Sequence, residues 1–297
     1  MFRIGTRGSP LALWQARRVQ HLLAGRGHEA EISIIVTTGD RVLDHAPGLI
    51  GGKAIFLREI EDALLEGRVD IAVHSLKDVP VRLPEGLGLS AFLARSDPRD
   101  ALLSSGEAAL GQLPRGARVG TTSLRRRSQL KSLRPDLQVT DLRGNVDTRI
   151  GRLHQGHFEA IVLAMAGLLR LGREAEVSEV LDPSLVLPAP GQGVIAVESR
   201  SHDGGVAQAV SGLNEPVTER AVRAERSFSE ALGAGCNAPL GALAEPVGEA
   251  LRLRAYIGRE DGSACLRAER TGRDPVALGQ ALAEELLTRG ARELMPA

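Results

Sequence analysis

A cysteine in a loop of small residues is the part of the sequence best suited to covalent chemistry. The segment Gly233-Ala234-Gly235-Cys236-Asn237-Ala238-Pro239 follows an amphipathic helical pattern that begins at Pro216. Its glycine and alanine residues leave room for a bulky group to approach the thiol of Cys236. Because a thiolate is a good nucleophile, the loop predicts a covalently attached ligand.

Polar side chains around Asp78 follow a predicted buried strand. Residues 69–73 form a short apolar run that is typical of a parallel strand, and His74-Ser75-Leu76-Lys77-Asp78-Val79-Pro80 comes directly after it. In open α/β sheets ligands lie at the carboxyl ends of strands, so Ser75, Lys77 and Asp78 are candidate site residues. The alternative is that Lys77 and Asp78 form a plain surface ion pair.

Arg7 and Ser9 lie at a second predicted strand end. A strand at 2–6 leads into a helix that Ser9 would cap and Pro10 would begin. Backbone N–H groups, the Ser9 hydroxyl and the Arg7 guanidinium together favour an anion site. A capped helix beside a solvated arginine is the alternative reading of the same residues.

Arginines also follow two predicted strands in the middle of the chain. Gly120-Thr121-Thr122-Ser123-Leu124-Arg125-Arg126-Arg127 places three arginines in the first turn of a helix. The helix dipole disfavours cations there unless an anion or an acidic side chain offsets them. Asp141-Leu142-Arg143-Gly144-Asn145 follows the next strand, with Asn145 as a helix cap and Arg149 one turn further on. We expect an anionic ligand here, and we expect Cys236 to carry it.

Length and composition limit the classes of function. A chain of 297 residues favours two or three domains. The net charge of +0 and the aromatic content of 2% argue against a nucleic-acid partner. No apolar run is long enough for a membrane helix, the N-terminus reads as a strand and not as a secretory signal, and two cysteines predict no disulfide framework. We therefore expect a cytoplasmic protein, with no membrane partner and no metal site.

Strands and helices alternate along most of the chain, which predicts parallel α/β sheets. Two crossings rich in proline, glycine or charge, near 95–98 and 189–193, are interpreted as hinges between two lobes. The expected first domain comprises 1–94 and 194–213, and the expected second domain comprises 99–188.

A small α+β third domain is expected at 216–297. Cys265 falls in one of its predicted strands, where we expect a small core residue. In the first domain, the polar, Gly-rich segment 39–52 is a candidate lid over a site.

These segments together resemble the hydroxymethylbilane synthase (porphobilinogen deaminase) family along almost the whole chain. The resemblance implies two hinged α/β lobes like those of periplasmic binding proteins and a small α+β C-terminal domain. Ala234 stands where the family commonly has a second glycine, which bears on the flexibility of the loop. The shared segments are Gly5 to Ala12, Thr38 to Asp40, Gly51 to Lys53, Val73 to Pro80, Gly120 to Arg126, Leu142 to Val146, Leu187 to Gly193 and Gly233 to Pro239.

The resemblance also implies an activity, in a monomeric transferase of tetrapyrrole biosynthesis. A dipyrromethane cofactor is joined to Cys236 by a thioether, four porphobilinogen molecules are added with loss of ammonia, and water releases hydroxymethylbilane. Asp78 is the implied catalytic carboxylate. The implied cofactor-binding residues are Cys236, Lys77, Ser75, Thr121, Ser123, Arg125, Arg126, Arg143 and Gly144. The implied substrate-binding residues are Arg7, Ser9, Arg149, Arg170, Gln192, Phe56 and Lys53.

Two other classes of protein share some of these features. A two-lobed protein that binds a carboxylated molecule without turnover would explain the hinges and the arginines, although not the cysteine loop. A cysteine acyltransferase would need a base partner for Cys236, and the sequence shows no evident one.

Overall fold

The computed structural model describes residues 1–38, 57–233 and 238–295. The chain divides into two compact units, Met1–Ser96 with Val194–Glu219, and Asp97–Gly193 with Arg220–Ala297. Within the described ranges, no helix is both long and apolar enough to cross a membrane. The predicted lid at 39–52 lies outside the described residues.

The first unit is an α/β lobe. Its first helix begins where the sequence predicts: Ser9 caps it by accepting a hydrogen bond from the backbone of Ala12 at 3.3 Å, and Pro10 occupies its first position. The elements are β1 (Phe2–Thr6), α1 (Pro10–Ala24), β2 (Ala30–Ile34), α2 (Arg58–Leu65), β3 (Ile71–Ser75), β4 (Leu87–Phe92) and, after the excursion into the second unit, β10 (Ile195–Arg200) and α6 (Gly204–Ser211).

The sheet of this lobe has the order β2-β1-β3-β10-β4. Strands β1, β2 and β3 are parallel, and β10 is antiparallel to both of its neighbours. Val19 of α1 and Val210 of α6 are buried on one face, and Ile60 of α2 is buried on the other. Because β1 and β3 are parallel neighbours, the segments that follow them leave the same edge of the sheet.

The second unit contains a lobe with the same pattern. Its sheet has the order β7-β6-β8-β5-β9, in which β6 is parallel to β7 and β8, and β5 is antiparallel to β8 and β9. Helix α3 packs on one face through Leu130, and α4 and α5 pack on the other through Ile150 and Leu168. The elements are β5 (Asp100–Ser104), β6 (Arg118–Gly120), α3 (Leu124–Leu133), β7 (Gln138–Thr140), α4 (Val146–His154), β8 (Ala160–Ala164), α5 (Met165–Arg170) and β9 (Glu179–Val180).

The C-terminal part is an α+β domain, as the sequence predicts. Two helices cover an antiparallel sheet in the order β11-β12-β13, and Phe228, Leu253 and Leu282 lie at the centre of its core. This domain and the second lobe form one compact unit, so the division into domains near residue 214 stays a prediction. The elements are α7 (Pro216–Ala231), β11 (Leu240–Val247), β12 (Ala250–Gly258), β13 (Cys265–Gly272) and α8 (Pro275–Thr288).

One expectation about the lobes is wrong. The sheets are mixed and not wholly parallel, because β5 and β10 follow the crossings between the units and run against their neighbours without a covering crossover helix. Asp100, which follows the charged segment of the first crossing, begins β5 and is fully buried. Arginine partners compensate its charge, and they are distant in the sequence. The alternation pattern therefore does not indicate a buried strand that begins with an aspartate.

The expectation for Cys265 is also wrong, because this residue is exposed. It begins β13, the outer strand of the C-terminal sheet, whose side chains alternate between the core and solvent. Leu266 and Ala268 pack against the core, so Cys265 points away from it.

Candidate functional site

Asp78 and Lys77 lie in a tight turn at the carboxyl end of β3. The turn is one 3-10 helix, Leu76–Asp78, and the buried side chain of Leu76 anchors it. The backbone N–H of Leu76 donates to Val194 O at 3.0 Å, and that of Val79 closes the turn onto Leu76 O at 3.0 Å. Lys77 and Asp78 are both partly exposed. A fixed backbone therefore carries an ammonium and a carboxylate at consecutive positions after a strand end.

Arg7 and Ser9 belong to the same edge of this sheet. They follow β1, the parallel neighbour of β3, and Ser9 caps α1. The side-chain amide of Gln15 in α1 donates to Ser75 Oγ at 2.7 Å, which links this helix to the end of β3. The structure thus gathers Arg7, Ser9 and the turn after Ser75 at one sheet edge.

A buried acidic and imidazole cluster lies behind the Asp78 turn. His74 Nε2 lies 2.9 Å from Glu198 Oε2, and both side chains are buried. Glu198 Oε1 is also buried and has no hydrogen-bond partner among the described residues. Burial, and next the charge of Glu198, raise the pKa of the nearby Glu61 to about 6. The sequence did not point to this cluster, because Glu198 and Glu61 lie far from His74 in the chain.

In the second lobe, Arg125 and Arg126 are buried and share one acidic partner. Arg125 Nη1 donates to Asp100 Oδ2 at 2.7 Å, and Arg126 donates to Oδ1 from Nε at 3.1 Å and from Nη2 at 2.7 Å. Burial alone would raise the pKa of Asp100, but the two guanidinium groups lower it well below its usual value. The first turn of α3 therefore has its positive charge offset from within the protein.

The third arginine of this turn is also paired with acidic groups. Arg127 Nη2 donates to Asp141 Oδ1 at 2.5 Å, and Nη1 donates to Glu260 of the C-terminal domain. The sequence allowed either an anion or acidic side chains to offset three cations at a helix start. In the structure, acidic side chains offset them. Two guanidinium groups on one Asp100 carboxylate nevertheless leave an excess positive charge.

Gln192 joins the buried network from the second crossing between the units. Its Nε2 donates to Asp100 Oδ1 at 2.8 Å and to Pro98 O at 2.7 Å. Two atoms of the network, Arg125 Nε and Gln192 Oε1, are buried and lack a hydrogen-bond partner within the described part of the chain. One is a donor and the other an acceptor, so each keeps an unused capacity for a hydrogen bond.

Thr121 and Ser123 shape the turn before α3. The backbone N–H of Ser123 donates to the buried Thr121 Oγ1 at 3.2 Å, and Ser123 Oγ caps the helix at Arg126 N at 3.4 Å. These hydroxyl groups follow β6, at the same sheet edge as the turn after β7.

The turn after β7 holds the remaining predicted residues of this lobe. Asn145 caps α4, as predicted, by accepting from Thr148 N at 2.8 Å. Arg149 Nε donates to Gly144 O at 2.8 Å, and Arg143 is 53% exposed at its side chain. Arg143 is thus the one of these arginines whose charge faces solvent most openly.

Arg170 lies at the end of α5 and reaches the second crossing. Its Nη2 donates to Gly193 O at 2.7 Å. Burial lowers its pKa to about 10, so it stays protonated at neutral pH.

Three predicted site residues, Cys236, Lys53 and Phe56, lie outside the described residues. Helix α7 ends at Ala231, and Gly233, at the start of the cysteine loop, has a φ of +64°, which favours glycine. Among the described residues, no group of three or more His, Cys, Asp or Glu side chains could hold a metal ion.

The two lobes with mixed five-stranded sheets define the class of the fold, a two-lobed mixed α/β protein that carries an added α+β domain. Solved structures to which the chain is similar include the periplasmic VFT2 domain of BvgS from Bordetella pertussis, at 15% identity and a TM-score of 0.44, covering 71% of this chain and 86% of that one. A periplasmic substrate-binding protein of an ABC transporter from Coxiella burnetii matches at 16% identity and a TM-score of 0.43, covering 74% and 94%. Both are too distant to bear on what this chain binds.

Family models match nearly the whole chain. Residues 2–208 match "Porphobilinogen deaminase, dipyromethane cofactor binding domain", and residues 220–288 match "Porphobilinogen deaminase, C-terminal domain". The chain belongs to the porphobilinogen deaminase (hydroxymethylbilane synthase) family, whose members are transferases of tetrapyrrole biosynthesis.

The residues of the second lobe fit the cofactor that this family uses. A dipyrromethane built from two porphobilinogen units carries acetate and propionate carboxylates and pyrrole N–H groups. The excess positive charge around Asp100 and the unpartnered Arg125 Nε suit a carboxylate, and the unpartnered Gln192 Oε1 suits an N–H donor.

Proposed function

We propose that the chain joins four porphobilinogen molecules, one after another, to a dipyrromethane primer attached to Cys236, with loss of one ammonia at each addition. Hydrolysis then releases linear hydroxymethylbilane. The observation that carries this proposal is the Asp78 turn: in a chain of this family, it presents a carboxylate and an ammonium at the sheet edge that also bears Arg7 and Ser9. The protein acts as a monomer and needs no nucleic-acid or membrane partner.

Asp78 is the catalytic carboxylate of this proposal. When porphobilinogen loses ammonia, its methylene-pyrrole becomes cationic, and a carboxylate near the pyrrole N–H stabilises that developing charge. The same carboxylate can accept a proton and return it as a general base and acid. The backbone hydrogen bonds of the Leu76–Asp78 turn hold the Asp78 backbone in place before the substrate binds, so little reorganisation is needed during the reaction.

Basic side chains bind the carboxylates of porphobilinogen and of the growing chain. In the first lobe these are Arg7 and Lys77, with Ser9 as a hydroxyl donor at the start of α1. In the second lobe they are Arg143 and Arg149, which flank the cap of α4, with Arg170 at the second crossing. Arginine suits this task because its paired N–H groups match the two oxygens of a carboxylate.

Cys236 serves as the tether. When bound there, dipyrromethane would supply the terminal pyrrole that accepts the first porphobilinogen, and each later porphobilinogen would join the ring added before it. The thiolate acts once, as the sulfur nucleophile that forms a thioether, and it needs no base partner in each cycle. This role differs from that of an acyltransferase cysteine, which exchanges its acyl group at every turnover.

An assay of porphobilinogen consumption and ammonia release tests the role of Asp78. The Asp78→Asn variant keeps the shape of the side chain and removes its charge, so we expect it to fold and to lose at least about 100-fold in turnover. Asp62→Asn is the matched control, since Asp62 lies exposed on α2 in the same lobe, and we expect nearly normal turnover there.

Two results would contradict the proposal in different ways. Near-normal turnover in Asp78→Asn would remove Asp78 from the catalytic role. Tight binding of porphobilinogen by the unaltered protein without release of ammonia would instead support a two-lobed binding protein without turnover.

A further inference from the structure

One fully buried carboxylate lies at the centre of three predicted ligand-binding residues. Asp100 begins β5, where the chain enters the second lobe, and its side chain is 0% exposed. It accepts hydrogen bonds from Arg125, Arg126 and Gln192 at distances of 2.7 to 3.1 Å. Neither the sequence pattern nor the resemblance assigns a role to Asp100.

Each of the three partners is held at a second point by a backbone carbonyl. Arg125 Nη1 also donates to Leu187 O at 2.7 Å, and Arg126 Nη1 donates to Val162 O at 2.8 Å. Gln192 Nε2 also donates to Pro98 O at 2.7 Å. Side chains fixed at two points have one orientation, so Asp100 determines where the remaining N–H groups and the amide oxygen point.

The network also connects the two crossings to the start of α3. Pro98 and Asp100 belong to the first crossing, Gln192 belongs to the second, and the two arginines belong to the first turn of the helix. Next to Gln192, the backbone N–H of Gly191 donates at 2.7 Å to the buried Glu225 carboxylate of the C-terminal domain. Asp100 therefore joins three separate segments of the second unit at one buried point.

The charges explain why an acidic residue is needed there. Two guanidinium groups, exposed by only 4% and 6% at their side chains, share one carboxylate, which leaves one net positive charge. Without Asp100 the two cations would repel each other and at least one would turn away. With Asp100 both stay together, and Arg125 Nε and Gln192 Oε1 keep their hydrogen-bonding capacity for a ligand.

We propose that Asp100 is a positioning residue of the transferase reaction, acting through Arg125, Arg126 and Gln192 and not by touching the substrate. This inference rests on the function proposed above, because it assumes that these three side chains bind carboxylate and N–H groups of the cofactor or substrate. In this proposal, Asp100 contributes to turnover only by orienting Arg125, Arg126 and Gln192.

Turnover per folded molecule separates positioning from stability. In the full chain, we would measure the folded fraction by circular dichroism, the primer-loaded fraction by intact mass, and kcat and KM for porphobilinogen per loaded, folded molecule. We expect Asp100→Asn to lower kcat/KM at least 10-fold on this basis. Glu159→Gln is the matched control, since it breaks an ion pair with Arg118 in the same lobe outside the network, and we expect a change below 2-fold.

A double variant tests whether Asp100 acts through Arg126. If it does, Asp100→Asn combined with Arg126→Gln is at most about 3-fold worse than the poorer single variant, since both changes disable the same group. Losses that multiply would overturn the proposal, and so would an unchanged kcat/KM in Asp100→Asn while the unaltered protein turns over normally. An unaltered protein that does not turn over would instead contradict the proposed function.

If Asp100→Asn does not fold, Asp100→Glu takes its place. This variant keeps the charge but moves the carboxylate by one methylene group, so the arginines are displaced while the net charge of the network is unchanged. We expect it to fold and to lose at least 10-fold in kcat/KM. A value within 2-fold of the unaltered protein would overturn the proposal.

Discussion

The hydroxyl groups of Ser128 and Tyr256 lie 2.7 Å apart and form a buried hydrogen bond between α3 of the second lobe and β12 of the C-terminal domain. Burial raises the pKa of Tyr256 to about 12, so its hydroxyl remains protonated at neutral pH. Arg267 lies over the same ring, with its guanidinium carbon 5.0 Å from the ring centroid. This contact fixes the helix that carries the three arginines against the domain that carries the cysteine loop.

Replacing Tyr256 with phenylalanine removes this hydrogen bond and keeps the ring. The Ser128 hydroxyl then remains buried without its partner, so we expect Tyr256→Phe to lower the free energy of unfolding by about 1–3 kcal/mol. Urea denaturation measures the change. The double variant Tyr256→Phe with Ser128→Ala removes both partners, and we expect it to be less destabilised than the sum of the single changes. Additive losses would show that the two hydroxyl groups do not interact.

Gly144 precedes the cap of α4 in a conformation that disfavours other residues. Its φ is +113°, and a Cβ atom there would lie 2.8 Å from Thr148 Cγ2. We expect Gly144→Ala to lower the free energy of unfolding by about 1–3 kcal/mol and to move the carbonyl that accepts from Arg149. Gly111→Ala is the control, because a Cβ atom there meets nothing within 4 Å. Equal stability of the two variants would contradict this account.

Arg143 and Arg125 should respond differently to the same substitution. Arg143 is half-exposed with Asp141 3.8 Å away, so we expect Arg143→Leu to change the free energy of unfolding by less than about 0.5 kcal/mol while hampering cofactor assembly or chain growth. Arg125→Leu removes a buried partner of Asp100, and we expect a loss of about 3–5 kcal/mol besides the effect on assembly. Unfolding curves and product yield measure the two effects. Unchanged elongation in Arg143→Leu would count against its role as a ligand-binding residue.

Glu61 predicts a pH dependence of stability in the first lobe. Its pKa in the folded protein is raised to about 6 from 4.5, so between these values the unfolded state releases a proton that the folded state keeps. The contribution of Glu61 to the free energy of unfolding therefore falls as pH rises from about 4.5 to 6 and is constant above. The groups that shift it are Glu198, His74 and Asp62.

The Glu61→Gln variant should remove this fall. We expect its free energy of unfolding, relative to the unaltered protein, to rise across the same pH interval and then to level off. Urea denaturation at several pH values measures this difference, and Glu31→Gln, at an exposed position of β2, should show no such trend. A difference that is flat across the interval would contradict the raised pKa.

Local sequence signals were enough to locate several helix starts and some of the strands. Ser9 and Asn145 cap their helices because a short polar side chain before an apolar helical pattern can accept a backbone N–H of the first turn. The strand at residues 2–6 has the predicted bounds. These signals act within a few residues, which is why a single sequence reveals them.

What the sequence concealed depends on contacts between distant residues. Asp100 reads as part of a charged loop because its partners lie 25 to 92 positions away. The pairing of His74 with Glu198 spans 124 positions and required the antiparallel strand that follows the second crossing. The sequence predicts a core position for Cys265, which is wrong because strand periodicity does not show which face of an outer strand meets solvent.

The central claim, that Cys236 holds a dipyrromethane primer, is tested most directly by the intact mass of the purified protein. We predict a mass that exceeds the sequence mass by one dipyrromethane. The excess should be absent in Cys236→Ser and retained in Cys265→Ser, the control at the exposed cysteine. A bare sequence mass that does not increase on incubation with porphobilinogen, or an excess that persists in Cys236→Ser, would contradict the claim.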